Sequence, residues 1–82
     1  MIKQTAIIGN RNTAGVRIRE TRKHSGIKPM VFLARLQLAG MDISASTLSL
    51  IERQNRSLAE WELRIFADIL GVSLEWLTGK ES

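Results

Sequence analysis

Apolar residues recur along the chain in five blocks at helical spacing, and the breaks between blocks carry the residues that start and stop helices. Asn12 or Thr13 is placed to cap a first helix that runs to about His24, with Ser25-Gly26 stopping it and Ala14, Ile18 and Thr21 on its inner face. Lys28-Pro29 opens a second helix, since proline suits the first helical turn, and the apolar pattern continues from Met30 to Ala39 before Gly40. Ser44 caps a third, from Ala45 to about Arg53, with Leu48 and Ile51 inward. After the polar connector Gln54-Asn55-Arg56-Ser57, a fourth spans about Leu58 to Leu70. Its core stripe Leu63, Phe66, Ala67 and Leu70 has i, i+3, i+4, i+7 spacing. Gly71 ends it, and Ser73 caps a short fifth helix carrying Leu74 and Leu77. Residues 1–12 lack this periodicity; Thr5-Ala6-Ile7-Ile8, ended by Gly9-Asn10, reads as a brief strand or as an arm laid over the body. The pattern predicts a compact five-helix, all-α domain over 13–79, an irregular N-terminal arm over 1–12 and a tail over 80–82.

Composition narrows what such a domain does. With 82 residues and no cysteine there is room for one domain and no disulfide framework. A domain this small buries only roughly 60% of its unfolded surface, so help from a second copy is expected. No apolar run approaches the ~18 residues of a membrane helix and no signal-peptide pattern is present, which points to a cytoplasmic protein. His24 is the single histidine, with no glycine-rich phosphate loop or carboxylate pair beside it, so neither catalysis nor metal binding is expected and no cofactor is implied. The net charge of +4, with its arginine concentrated in the first two-thirds of the chain, fits a polyanionic partner.

Arg22 stands four residues after Ile18 on the inner face of the first helix, so its charge either needs a carboxylate partner or snorkels to water. Two short helices joined by a glycine-containing turn and braced by further helices form an arrangement that can place a helix in the major groove. Four stretches sharpen this: Arg17-Ile18-Arg19-Glu20-Thr21-Arg22; Leu33-Ala34-Arg35-Leu36; Ile43 to Arg53; and Leu70-Gly71-Val72-Ser73-Leu74-Glu75-Trp76-Leu77. In that order they resemble the Cro/C1 (XRE) family of phage-repressor-like helix-turn-helix domains over about residues 14–79. The resemblance implies a DNA-binding transcriptional regulator that recognises double-stranded DNA through a helix at about 44–53. It also implies a partly buried ion pair between Arg22 and Glu52. Ser46, Ser49, Leu50 and Arg53 would face the groove, with Ala45 and Thr47 in the first turn; capping Ser44 would share in a phosphate contact at the helix start, and Lys28, Arg53, Asn55 and Arg56 would serve further phosphates.

The chain departs from that family where long base-reading donors are usual: Ala45 and Leu50 offer a methyl and an isobutyl group. Reading would then depend on the hydroxyls of Ser46, Thr47 and Ser49, on apolar contact with thymine methyls, and on DNA shape. The start of the second helix, Lys28-Pro29-Met30-Val31-Phe32, lacks the family's phosphate-clamping glutamine. The turn from Gln37 to Ile43 is longer than the shortest family version, which predicts an altered crossing of the two helices. A second stripe, Trp61, Ile65 and Ile69 with Leu58 and Trp76 as neighbours, exceeds what one core face can use. It predicts a homodimer contact, or a face covered by Ile2, Ile7 and Ile8. The rival to DNA binding is a protein-interaction module of the same fold, antitoxin-like or a regulatory subunit, motivated by Met30, Val31, Phe32 and Leu50 near the expected DNA face.

Overall fold

A computed structural model of the chain describes residues 11–79, and within them the fold is all-α, with five helices and no strand. They are α1 (Gly15–His24), α2 (Pro29–Leu38), α3 (Ala45–Glu52), α4 (Glu60–Leu70) and α5 (Leu74–Leu77). The arm, apart from Arg11 and Asn12, and the tail lie outside the described residues, as does the covering role of Ile2, Ile7 and Ile8. No helix among the described residues is long and apolar enough to cross a membrane.

Helices α1 and α2 each pack against both α3 and α4, and α5 closes the unit against α4. The core runs through all five: Ala14 and Ile18, Phe32 and Leu36, Leu48 and Ile51, Phe66 and Ala67, and Leu77 are buried. The rings of Phe32 and Phe66 lie 5.8 Å apart and tilted by 47°, a favourable aromatic geometry that joins α2 to α4. Leu63 and Leu70, expected in the core stripe of α4, are half-buried and pack on its edge.

Helix ends explain where the boundaries fall. Ala14 stands at the N-cap of α1 without a side-chain bond of its own, and Asn12 supplies it from two residues earlier, its Oδ1 accepting from the N–H groups of Ala14 at 3.0 Å and Gly15 at 2.6 Å. Helix α4 starts at Glu60 rather than Leu58, because Ala59 is extended and its N–H is taken by the Glu62 carboxylate at 3.0 Å. The turn between α2 and α3 is a built connection. Gly40 sits at φ +110°, its N–H and that of Met41 bond back to the carbonyls of Gln37 and Leu36, and Met41 is buried beside Leu36. Gln37 Nε2 then donates to the Ile43 carbonyl at 2.9 Å, tying the extra residues to α2. The extended turn thus contributes a core residue instead of looping into solvent.

Candidate nucleic-acid interface

The end of α1 and the end of α3 are locked by one ion pair. Arg22 Nε and Nη2 donate to the two carboxylate oxygens of Glu52 at 2.9 and 3.1 Å, and both residues are over nine-tenths buried or at that limit, at 8% and 9% exposed. The third guanidinium nitrogen, Nη1, donates to the Ile27 carbonyl at 3.3 Å, so the same side chain also fixes the α1–α2 loop. The inner-face arginine therefore has its carboxylate, and snorkelling does not occur.

A second clamp holds the other side of α3. Asn12 Nδ2 donates to the carbonyls of Ile51 at 3.1 Å and Arg56 at 2.8 Å; Gln54 Nε2 donates to the Asn12 carbonyl at 2.8 Å. The Arg11 N–H also donates to the Gln54 carbonyl at 2.8 Å. Gln54 has φ +64°, and its N–H and that of Asn55 close the end of α3 onto the Ile51 and Leu50 carbonyls. A residue with a Cβ there carries strain, and Gln54 is held in that conformation through its side chain, its N–H and its carbonyl together. Neither Asn12 nor Gln54 announced this role in the sequence, since the bonds join segments about forty residues apart.

Held in this way, α3 presents its remaining face outward. Ser44 accepts the Thr47 N–H at 3.1 Å and its hydroxyl also bonds the Thr47 hydroxyl at 3.1 Å. That leaves the first-turn amides of Ala45 and Ser46, which a helix start does not pair internally, at a positive dipole end. Ala45, Ser46, Ser49 and Leu50 are exposed, and Thr47 is half-buried. Two clefts flank the helix. Towards α2, a cleft of about 230 Å³ is walled by Pro29, Met30, Leu33, Ala45, Leu48 and Ser49, with Arg22 and Glu52 at its base. Towards α1, a narrower cleft gathers Val16, Arg19, Glu20, Glu52 and Arg53.

The expected phosphate ligands are not all brought together. Arg53 lies at the end of α3, its Nε donating to the Ser49 carbonyl at 3.3 Å, and Arg19 joins it across the cleft. Arg19 was not singled out by sequence reasoning; its exposed position on α1 became significant only once α3 was docked beside it. Lys28 instead lines an open cleft with Val31, Arg35 and Ile69, on the side of α2 that faces α4. Asn55 is half-buried at the α3 terminus.

Arg56 is committed elsewhere. Its Nη1 and Nη2 donate to the two Glu62 oxygens at 3.2 and 3.0 Å, and it anchors the start of α4. Burial works to raise the Glu62 carboxyl, but the Arg56 hydrogen bonds, the Ala59 N–H and the Arg56 charge outweigh it and hold the group below its ordinary value. A depressed folded value means that stability is present above the unfolded carboxyl range and lost as pH falls through the folded value. Acidification below about pH 4 should therefore lower the thermal midpoint of the wild type more steeply than that of Glu62→Gln. Parallel acid curves for the two proteins would contradict this.

Charge is divided between the two halves. Residues 11–58 of the sequence carry nine Lys or Arg against three Asp or Glu, and residues 59–79 carry one against four; of the nine, Arg19 and Arg53 stand beside α3, while Arg17, Lys28, Arg35 and Arg56 lie towards α4 and α5. On α4, Trp61 is 55% exposed, while Ile65 and Ile69 are half-buried against the core. Trp76 is covered rather than displayed: the Arg17 guanidinium lies 4.6 Å over its ring and Arg17 Nη1 donates to its carbonyl. The apolar surface on α4 is thus narrower than its four-residue spacing suggested.

Comparison with protein-family models, curated proteins and solved structures found no match to the chain.

Proposed function

We propose that the chain is a DNA-binding transcriptional regulator of the helix-turn-helix type, repressor-like, cytoplasmic, and not an enzyme, with α3 entering the major groove. One observation carries this reading: α3 is clamped at its end by the Arg22–Glu52 pair, has its start capped and its outer face exposed, and has Arg19 and Arg53 along one flank. The free amides of Ala45 and Ser46 suit a phosphate, and Arg19 and Arg53 would take further phosphates beside α3. Ser46 and Ser49 would offer hydroxyls to base edges, with Ala45 and Leu50 giving apolar contact. A homodimer through Trp61 on α4 belongs to the same proposal, because two copies would read half-sites about one helical turn apart.

A labelled duplex titrated across a salt series tests it. Affinity should fall with salt at a slope of about −0.9 per phosphate neutralised. Arg19→Ala and Arg53→Ala should each weaken binding to all sequences and reduce that slope by about one. Two chains per bound site mark the dimer; one chain per site contradicts that part. The second reading, a protein-interaction module, is favoured by the exposure of Met30 at 76% and Leu38 at 88% on α2. Absence of duplex binding even at low salt would select it.

A further inference from the structure

We infer that the cleft between α2 and α3 reads bases through carbon, accepting the C5-methyl group of thymine. The inference rests on the DNA-binding reading above and names what that interface recognises. Among the unmodified bases thymine alone displays a methyl group in the major groove, beside edges that otherwise present donors, acceptors or small C–H groups. The cleft is matched to such a feature. Its walls are Pro29, Met30 and Leu33 from α2 and Ala45, Leu48 and Ser49 from α3, with the Ser49 hydroxyl as the single side-chain polar group among them.

The charges at its base do not invite a polar ligand. Arg22 uses Nε and Nη2 on Glu52 and Nη1 on Ile27, and no buried polar side-chain atom among the described residues lacks a partner. A polar group that entered would meet carbon over most of the wall and could bond only at the Ser49 hydroxyl or share groups already paired at the base, which disfavours it away from those points. The opening lies along the face of α3 that carries Ala45 and Ser49, and Met30 stands 76% exposed at its rim. On the other side of α3 are Arg19 and Arg53, together with Glu20 and with Glu52, whose charge Arg22 balances. One helix thus has a largely carbon-lined cleft on one flank and two arginines, offset in part by Glu20, on the other. That is complementary to a polyanion bearing methyl groups between its phosphates, and argues against an apolar protein segment as the occupant.

The test compares duplexes that differ in methyl groups alone: alternating dA·dT against alternating dA·dU, and alternating dG·dC against the same duplex with 5-methylcytosine. Binding is measured at one salt concentration and then across a salt series. Each methyl removed from water should be worth about a factor of three to four in affinity. The dA·dU duplex should therefore bind more weakly than dA·dT, and methylation of cytosine should strengthen binding. Met30→Gln, at an exposed position where the fold is not at stake, should shrink both differences while leaving the salt slope unchanged. Equal affinity for dA·dT and dA·dU with an intact salt slope overturns the inference and leaves DNA binding standing. No binding to any of the duplexes at low salt overturns both, and gives the cleft to an apolar side chain of a protein partner.

Discussion

Arg22→Ala should cost about 3–5 kcal/mol of folding stability, and Glu52→Ala about the same, because each leaves the other's charge buried without its partner. The pair is two-pronged, at 2.9 and 3.1 Å, and its members are 8% and 9% exposed, so water reaching in through the bordering clefts would hydrate the remaining charge only in part. Small domains hold only about 5–15 kcal/mol in all, and one of this size sits low in that range. Either single variant should therefore be substantially unfolded at physiological temperature. The double variant Arg22→Met with Glu52→Leu removes both charges and fills the space with carbon, and should recover much of the loss. Urea denaturation followed by far-UV circular dichroism measures all four proteins. Single-variant losses below about 1 kcal/mol would place the pair among solvent-screened surface bridges and contradict the burial described here.

Gly15→Ala should destabilise the protein by about 1–3 kcal/mol, although the same change inside an exposed helix ordinarily stabilises by up to about 1 kcal/mol. The inversion of sign comes from a close backbone approach. A Cβ on Gly15 would run into the Ile51 carbonyl oxygen and would lie 3.0 Å from both Asn12 Oδ1 and Gln54 Cγ. The carbonyl is backbone inside α3, and the two side chains are the ones that clamp its end, so none can swing aside cheaply. Relief would require α1 and α3 to separate, which displaces the recognition surface along with the packing. The variant should accordingly lose duplex affinity as well as thermal stability. A gain in stability, the ordinary helix result, would mean that α1 and α3 are farther apart than described.

The contrast between these two sites shows what the sequence made legible. Arg22 stands on the face set by Ile18, so a buried charge in need of a carboxylate could be read from spacing, and Glu52 as its partner followed from the family resemblance. Gly15 gave no comparable signal, because its importance lies in a carbonyl thirty-six residues away. Four of the five helices could be started from their own chemistry, at Asn12, Pro29, Ser44 and Ser73. Helix α4 instead begins behind Ala59, which offers no side-chain cap, and the apolar pattern alone puts its start two residues early at Leu58. Which side of α2 is buried could not be read, since nearly every position from Pro29 to Leu36 is apolar. Docking against α3 and α4 selects Phe32 and Leu36 and leaves Met30 and Val31 in the open. The same limit applies to the cations: Arg19 and Arg56 look alike in sequence, but one joins Arg53 beside α3 and the other is held by Glu62.

The most direct test of the central claim is a residue-resolved amide NMR titration with a short mixed-sequence duplex at low salt. Resonances of Ala45 to Leu50 should shift together with those of Arg19 and Arg53, while those of α5 and of Glu60 at the start of α4 stay in place. No shift at low salt, or shifts confined to α4 and α5 with α3 unmoved, would contradict it.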